Sequence, residues 1–384
     1  AELSGFNVLV DSEGMLKPCE SFEGMKVFPP AFKYNAATFE RKIFNRFGDH
    51  PLLMGAILDD NWRSLRASMP GGKYLLASGQ VTNREQLDES VKQLDSLFAM
   101  AGDVEGLNQE KVTEIKNLLT ELTPTISATR MLIQGLAPGP DGLFGISVVI
   151  KTSDSKKLVA SMGKMVEIGK QILSELASGE DADEWMQDLV GMVGYTSGAE
   201  KIAGASVDHI KLDLSKSEEI DEEDLEELYK IIGKDGVLFR VAAADAKTAV
   251  ISFGGGKDQM NRLVDQAKSN DAPLDNDVGV KKVDSHLPKA RYFAMYMAAD
   301  QIVAAINNVM TVLDEERLPF QVPEINAPLA LCATGGDGWV QGDLFFPSDL
   351  LVAMKDVGFA MLGNAMAAPP PAEPAQAEPQ GGAK

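Results

Sequence analysis

The chain has few of the residues that most often carry chemistry. Two cysteines, three histidines and three tryptophans are spread over 384 positions. Cys19 and Cys332 form no C-x-x-C pair, and His50, His209 and His286 fall in no H-E-x-x-H pattern, so the common zinc spacings are excluded. A single long-range disulfide between Cys19 and Cys332 stays open outside the cytoplasm; two unpaired, buried thiols are the simpler arrangement. No G-x-S-x-G elbow occurs, and Ser78 and Ser197, each beside a glycine, read as turn or strand residues. Paired carboxylates for hydrolysis cannot be singled out from 57 acidic side chains. The expectation is no catalytic residue, no cofactor and no metal.

Basic charge is also short. Against those 57 acids stand 36 Lys and Arg, a formal net charge of −21. Nucleic acid is excluded as a partner, because neutralising phosphates takes clustered cations, and peripheral binding to anionic lipid is disfavoured on the same ground. The acidity itself serves solubility. No apolar run reaches the roughly 18 residues that a membrane helix needs. The first residues, Ala1-Glu2-Leu3, fit either a mature protein whose signal peptide has been removed or a chain trimmed for expression.

What the chain does have is an ordinary globular composition, 45% hydrophobic and 24% charged, and a pattern that occurs twice. A strand-like run at Lys73–Ala77 leads into a helical run through Leu87, Val91, Leu94 and Phe98. A second strand at Arg291–Met295 leads into a helix through Ile302, Ile306 and Val309. Each is followed by a turn signal, Pro140-Asp141-Gly142 and Gly336-Asp337-Gly338. A further strand and a helix come next, Lys156–Leu173 in one half and Leu350–Leu362 in the other. The first half carries an added helix at Asn108–Leu122, with Val112, Ile115, Leu118, Leu119 and Leu122 on one face.

Between these units, Val207–Leu214 alternates as a strand with one buried and one wet face, which puts His209 on the wet side. An acidic helix follows, with Ser217 as its cap, Leu225, Leu228, Ile231 and Ile232 as its stripe, and Gly233 as its stop. A third hairpin and helix occupy Val237–Ala243, Thr248–Phe253 and Lys257–Ala267. Hairpins imply antiparallel pairing, and the helices after them must cover a sheet face. The expected fold is α+β: two related lobes of antiparallel sheet backed by helices. Residues 1–60 form a strand and helix segment packed on the first lobe, 61–214 the first lobe, and 215–366 the second lobe, beginning with the acidic helix. Residues 367–384, rich in Pro, Ala and Glu, form a disordered tail.

Two motifs come near to binding sites. Gly254-Gly255-Gly256-Lys257 lies between a strand and a helix, where a phosphate loop would lie, but the Walker spacing is incomplete and Asp258 follows the lysine. A strand-to-helix connection is the better account. The acidic run Glu218–Glu227 and the segment Asp275-Asn276-Asp277-Val278-Gly279 lack the register of a calcium loop. A softer clue is Met131, Met162, Met165, Met186, Met192, Met295, Met297, Met354 and Met361, all on predicted core faces. Flexible thioethers there either fill core gaps or line an adaptable apolar pocket.

Three stretches, Val207–Leu214, Glu324–Leu329 and Gly336–Leu344, together with the Ala/Pro-rich tail, resemble uncharacterised exported bacterial proteins with duplicated α+β (strand-helix-hairpin-helix) units. The likeness covers about the second half of the chain and leaves residues 1–60 outside. It implies an extracytoplasmic location, periplasmic or secreted, and brings no site residues with it. The functional expectation is a non-enzymatic binding or scaffold protein that contacts a protein partner or a second copy of itself. Alternatives are a carrier of an apolar, lipid-like ligand in a methionine-lined pocket and a hydrolase built from scattered acids.

Overall fold

Segments rich in β-branched and aromatic residues, punctuated by glycine and Asx turns, build a large sheet in the computed structural model of this chain. The structure describes residues 73–82, 108–178, 184–217, 220–269, 273–289, 291–313, 315–318, 323–325, 327–336, 339–350, 352, 353 and 355. The segments 1–60 and 367–384, His50, Cys19, Met354, Met361 and the helical run at Leu87–Phe98 lie outside these residues.

The strands are β1 (Leu76–Val81), β2 (Ile126–Gly135), β3 (Phe144–Thr152), β4 (Val193–Ile202), β5 (Ala205–Leu212), β6 (Val237–Asp245), β7 (Thr248–Gly254), β8 (Phe293–Met297), β9 (Leu329–Gly336) and β10 (Trp339–Phe345). They form one antiparallel sheet in the order β10-β9-β8-β1-β2-β3-β7-β6-β5-β4. Outward from the β1/β8 seam, β1-β2-β3 and β8-β9-β10 follow one another in the same sequence. The turn at Asp141-Gly142 closes the β2–β3 hairpin, where Gly142 takes φ +86° and its N–H donates to the Gly139 carbonyl at 3.2 Å. Asp337 and Gly338 lie outside the described residues; on either side of them Gly336 and Trp339 pair across β9 and β10.

The helices are α1 (Gln109–Leu122), α2 (Ser155–Leu176), α3 (Glu184–Met192), α4 (Glu222–Ile232), α5 (Gly256–Lys268), α6 (Pro273–Asn276), α7 (Val278–Asp284) and α8 (Ala299–Val312). Their starts follow capping chemistry: Asn108 accepts from the N–H groups of Glu110 and Lys111, and Asp154 accepts from that of Lys157. Asp221, not the expected Ser217, caps α4 by accepting from the Asp224 N–H at 2.9 Å, and Gly233 ends the helix at φ +95°. Residues 348–350, 352, 353 and 355 are helical where Leu350–Leu362 was expected. Among the described residues, no helix is long and apolar enough to cross a membrane.

Among the described residues, helices cover the two sheet faces unequally. On the face called inner here, Met260, Leu263, Val264 and Ala267 of α5 pack on Val149, Val207, Ala242 and Val250. Beside them, Leu274 of α6 and Val280 and Val283 of α7 pack on Ala77, Leu132, Ala294, Ala330 and Cys332. These side chains are essentially withdrawn from water. On the outer face, Leu158 and Val159 of α2, with Leu122 of α1, close over Val241 and Ala249. The helix α8 approaches this face at Gly135, where an added Cβ would lie 3.5 Å from that of Ala305.

Candidate functional site

Strand pairing fixes which side chains share the outer face, because directly opposed residues of antiparallel strands point the same way. One row runs Leu331, Met295, Ser78, Met131, Val148, Ile251 across six strands. A second runs Met297, Leu76, Ile133, Ile146, Phe253, Phe239. In both rows every residue but Ser78 is apolar, and none is fully buried. Phe239 and Leu331 are 38% and 36% exposed, and the Phe239 and Phe253 rings lie 5.1 Å apart, mutually tilted. On the inner face the equivalent positions are closed, so the contrast reflects helix coverage rather than composition. Ile306 of α8 and Trp185 of α3 add further exposed apolar surface. A contiguous, half-wet apolar face of this kind is what monomeric domains avoid unless something binds there.

The methionines of this region change the sequence reading. Met131, Met162, Met165, Met186, Met192, Met295 and Met297 were expected on core faces; all are half-buried, and Met162 and Met165 of α2 do pack on the outer-face core around Val241 and Ala249. Among the described residues, the methionine wholly withdrawn from water is Met260. Met131, Met295 and Met297 lie on the outer face, where an unbranched thioether can adapt to a contacting surface.

At the β4 end of the sheet, on the inner face, a charged network gathers. Glu200 of β4 is contacted by His209 Nε2 of β5 (2.7 Å) and Arg240 Nε of β6 (2.9 Å) through Oε1, and by Lys257 Nζ of α5 (2.5 Å) through Oε2. Arg240, 3% exposed, also donates to Asp235 at 2.6 Å. Burial would raise the Glu200 pKa, but hydrogen bonds from Lys257, Arg240 and His209 outweigh it and hold the carboxyl at about 2. His209, expected on a wet face, is instead part of this network. Around the sheet edge lies a cavity of about 240 Å³ lined by Lys170, Gly191, Met192, Val193, Gly194, Thr196, His209, Lys211, Asp213 and Lys216. Sequence reasoning passed over these lysines because they come from different elements with no common spacing.

The remaining sequence candidates have structural roles. Gly254, Gly255 and Gly256 all adopt positive φ, at 66°, 60° and 60°. The Asp141 carboxylate lies where a Cβ on Gly256 would sit, 2.6 Å from its Oδ1, and the Asp141 carbonyl accepts from the Gly255 N–H. A carboxylate of the chain itself thus stands at the start of α5, where a phosphate would have to bind. Asp277 caps α7 by accepting from the Val280 N–H at 2.8 Å, and Glu222, Glu223, Asp224, Glu226 and Glu227 lie exposed on α4. Ser197 donates to Asp208 at 3.3 Å, Ser78 sits in the outer-face row, and His286 stacks on Phe345 at 5.2 Å. Cys332 is a buried free thiol whose pKa burial, reinforced by Asp343, pushes up to about 11. Among the described residues, no three His, Cys, Asp or Glu converge as a metal set.

No protein-family model matches the chain, and no curated protein is a significant match. Among solved structures, TP0453 in crystal form IV aligns at 12% identity over 71% of this chain and 74% of that one, with a TM-score of 0.27. TP0453 in crystal form I aligns at 8% identity over 76% and 97% of the two chains, again at 0.27. Likeness at this level is too slight to assign a fold or a function.

Proposed function

We propose that this is a non-enzymatic, extracytoplasmic binding or scaffold protein that holds a protein partner on the outer face of its sheet. The observation that carries the reading is the asymmetry of the sheet: one face is sealed by helices, while the other leaves Phe239, Phe253, Met131, Met295 and Leu331 in partial contact with water. Large aromatic and thioether side chains at the centre of such a face supply most of the energy of association. A second reading, a carrier of an apolar ligand, is favoured by the methionines alone.

The test places a photo-crosslinking residue at Phe239 or Met131, and separately at exposed Lys281, in the native source. The expected outcome is a discrete protein adduct from the two outer-face positions and none from Lys281. A Phe239→Lys/Met131→Lys variant should abolish recovery of that partner while keeping the circular dichroism of the wild type. Undiminished recovery with a folded double variant removes the outer face from the account. Extracted lipid in place of a protein adduct turns the reading to the carrier.

A further inference from the structure

The cavity at the β4 end of the sheet has a charge opposite to that of the chain. It is walled by the C-terminal end of α3, by α2, by β4 and β5, and by the short turn Leu214–Lys216. Three ammonium groups line it, from Lys170, Lys211 and Lys216, against a single carboxylate, Asp213. That leaves a local excess of two positive charges in a chain of net charge −21. The remote acids weigh less than this count implies, because charges beyond a Debye length of roughly 8–10 Å are largely screened.

The lysines are also held in place. Lys170 Nζ donates to the Val193 carbonyl and Lys216 Nζ to the Gly191 carbonyl, each at 2.9 Å, while Lys211 Nζ lies 3.4 Å from Asp213. A backbone carbonyl fixes an ammonium without cancelling its charge, and it satisfies one of three N–H donors. Lys170 and Lys216 are therefore oriented at the wall of the cavity, with donor capacity beyond the carbonyls that position them. His209 adds an imidazole edge, held on Nε2 by Glu200. The space, about 240 Å³, is several times the ~30 Å³ that one water occupies in the liquid, enough for a small hydrated ion.

We propose that this cavity binds a compact oxyanion of the phosphate-monoester class. Charge makes the choice: a phosphate monoester carries roughly two negative charges near neutral pH, matching the local excess, while a lone carboxylate would neutralise half of it. Lysines bind phosphate as point charges and need no forked geometry. The site is separate from the outer apolar face and stands whether or not a protein partner binds there. It is also not the glycine loop before α5, where Asp141 already occupies the anion position.

Free phosphate and a phosphate-bearing lipid headgroup present the same chemistry, so the test carries an arm for each. Inorganic phosphate is titrated by calorimetry, at low ionic strength, into the full chain and into a Lys211→Gln/Lys216→Gln variant. Both proteins are also co-sedimented with phosphatidylcholine vesicles, with and without phosphatidic acid. The expected result is saturable binding of one ion, weakened roughly 25-fold in the variant, about fivefold for each ammonium. Vesicle retention that depends on phosphatidic acid and on the two lysines assigns the anion to a headgroup; phosphate binding without it assigns the free ion. A Lys211→Arg/Lys216→Arg variant keeps the charge and should bind within a few-fold of wild type. The proposal is overturned if neither phosphate nor phosphatidic acid is bound, or if the Gln variant binds as well as wild type. It is equally overturned if the Arg variant binds no better than the Gln variant.

Discussion

A carboxylate on an edge strand is ordinarily left in water, but the Glu200 side chain is only 11% exposed and is ringed by His209, Arg240 and Lys257. Its pKa of about 2 lies below the ordinary 4.5, so the fold favours the ionised form. That contribution is complete above about pH 4.5, declines as pH falls, and is lost through pH 2; its size is on the order of 3 kcal/mol. Urea unfolding of wild type and Glu200→Gln should therefore differ most near pH 6, with the gap closing as pH approaches 2. A gap that stays constant over this window would mean that the carboxylate is not what the network stabilises. The sequence shows Glu200, His209, Arg240 and Lys257 as unrelated charges. Strand register brings the first three together, with Glu200 opposing Val207 and His209 opposing Arg240, and the packing of α5 on the sheet adds Lys257. Cross-strand pairing depends on which strands meet, and alternation within one strand says nothing of that.

Elements were far more legible than contacts between them. The run Val237–Ala243, Asp245-Ala246-Lys247, Thr248–Phe253, Lys257–Ala267 has the pattern of a hairpin and helix, and β6, β7 and α5 match it within two residues at each end. Local signals sufficed because turn chemistry, period-two alternation and helical spacing all act over a few residues. The glycines between β7 and α5 gave a weaker signal, since they serve a contact distant in sequence. The β2–β3 turn, the end of α4 and the start of α5 converge there. A Cβ at Gly142 would lie 2.6 Å from the Gly233 nitrogen, and one at Gly256 the same distance from Asp141 Oδ1. Both glycines also hold positive φ. Gly142→Ala should cost about 2–3 kcal/mol, combining left-handed strain with a collision against backbone. Gly256→Ala should cost somewhat less, about 1–2 kcal/mol, because a carboxylate can turn aside where a backbone cannot. Denaturant midpoints check the order; equal, negligible losses would show that the three loops do not need this close approach.

The whole molecule adds what neither scale contains, which is the interleaving of its halves. Strands from 61–214 and from 215–366 alternate in blocks along the sheet, so the division at residue 214 is crossed at β8/β1, β3/β7 and β6/β5. The order of strands and helices along the chain is set by local patterns, whereas the seams depend on long-range pairing that no short window records. Cutting there would expose, on each fragment, strand edges that are paired in the intact sheet, and would open both halves of the inner-face core. A fragment of residues 61–214 keeps β3 without β7, and Val149 without the α5 residues that cover it. A fragment of residues 215–366 keeps β8 and β7 but not the three strands that lie between them. The two fragments, expressed apart, should therefore lack cooperative thermal transitions and should aggregate through their open edges. Mixed or co-expressed, they should recover a single transition and elute as one complex, because each supplies the strands that the other lacks. Calorimetry with size-exclusion chromatography separates the cases. A sharp, independent melt from either fragment alone would mean that the seams join two bodies, each able to seal its own core, and the sheet would then be continuous in geometry but not in energy.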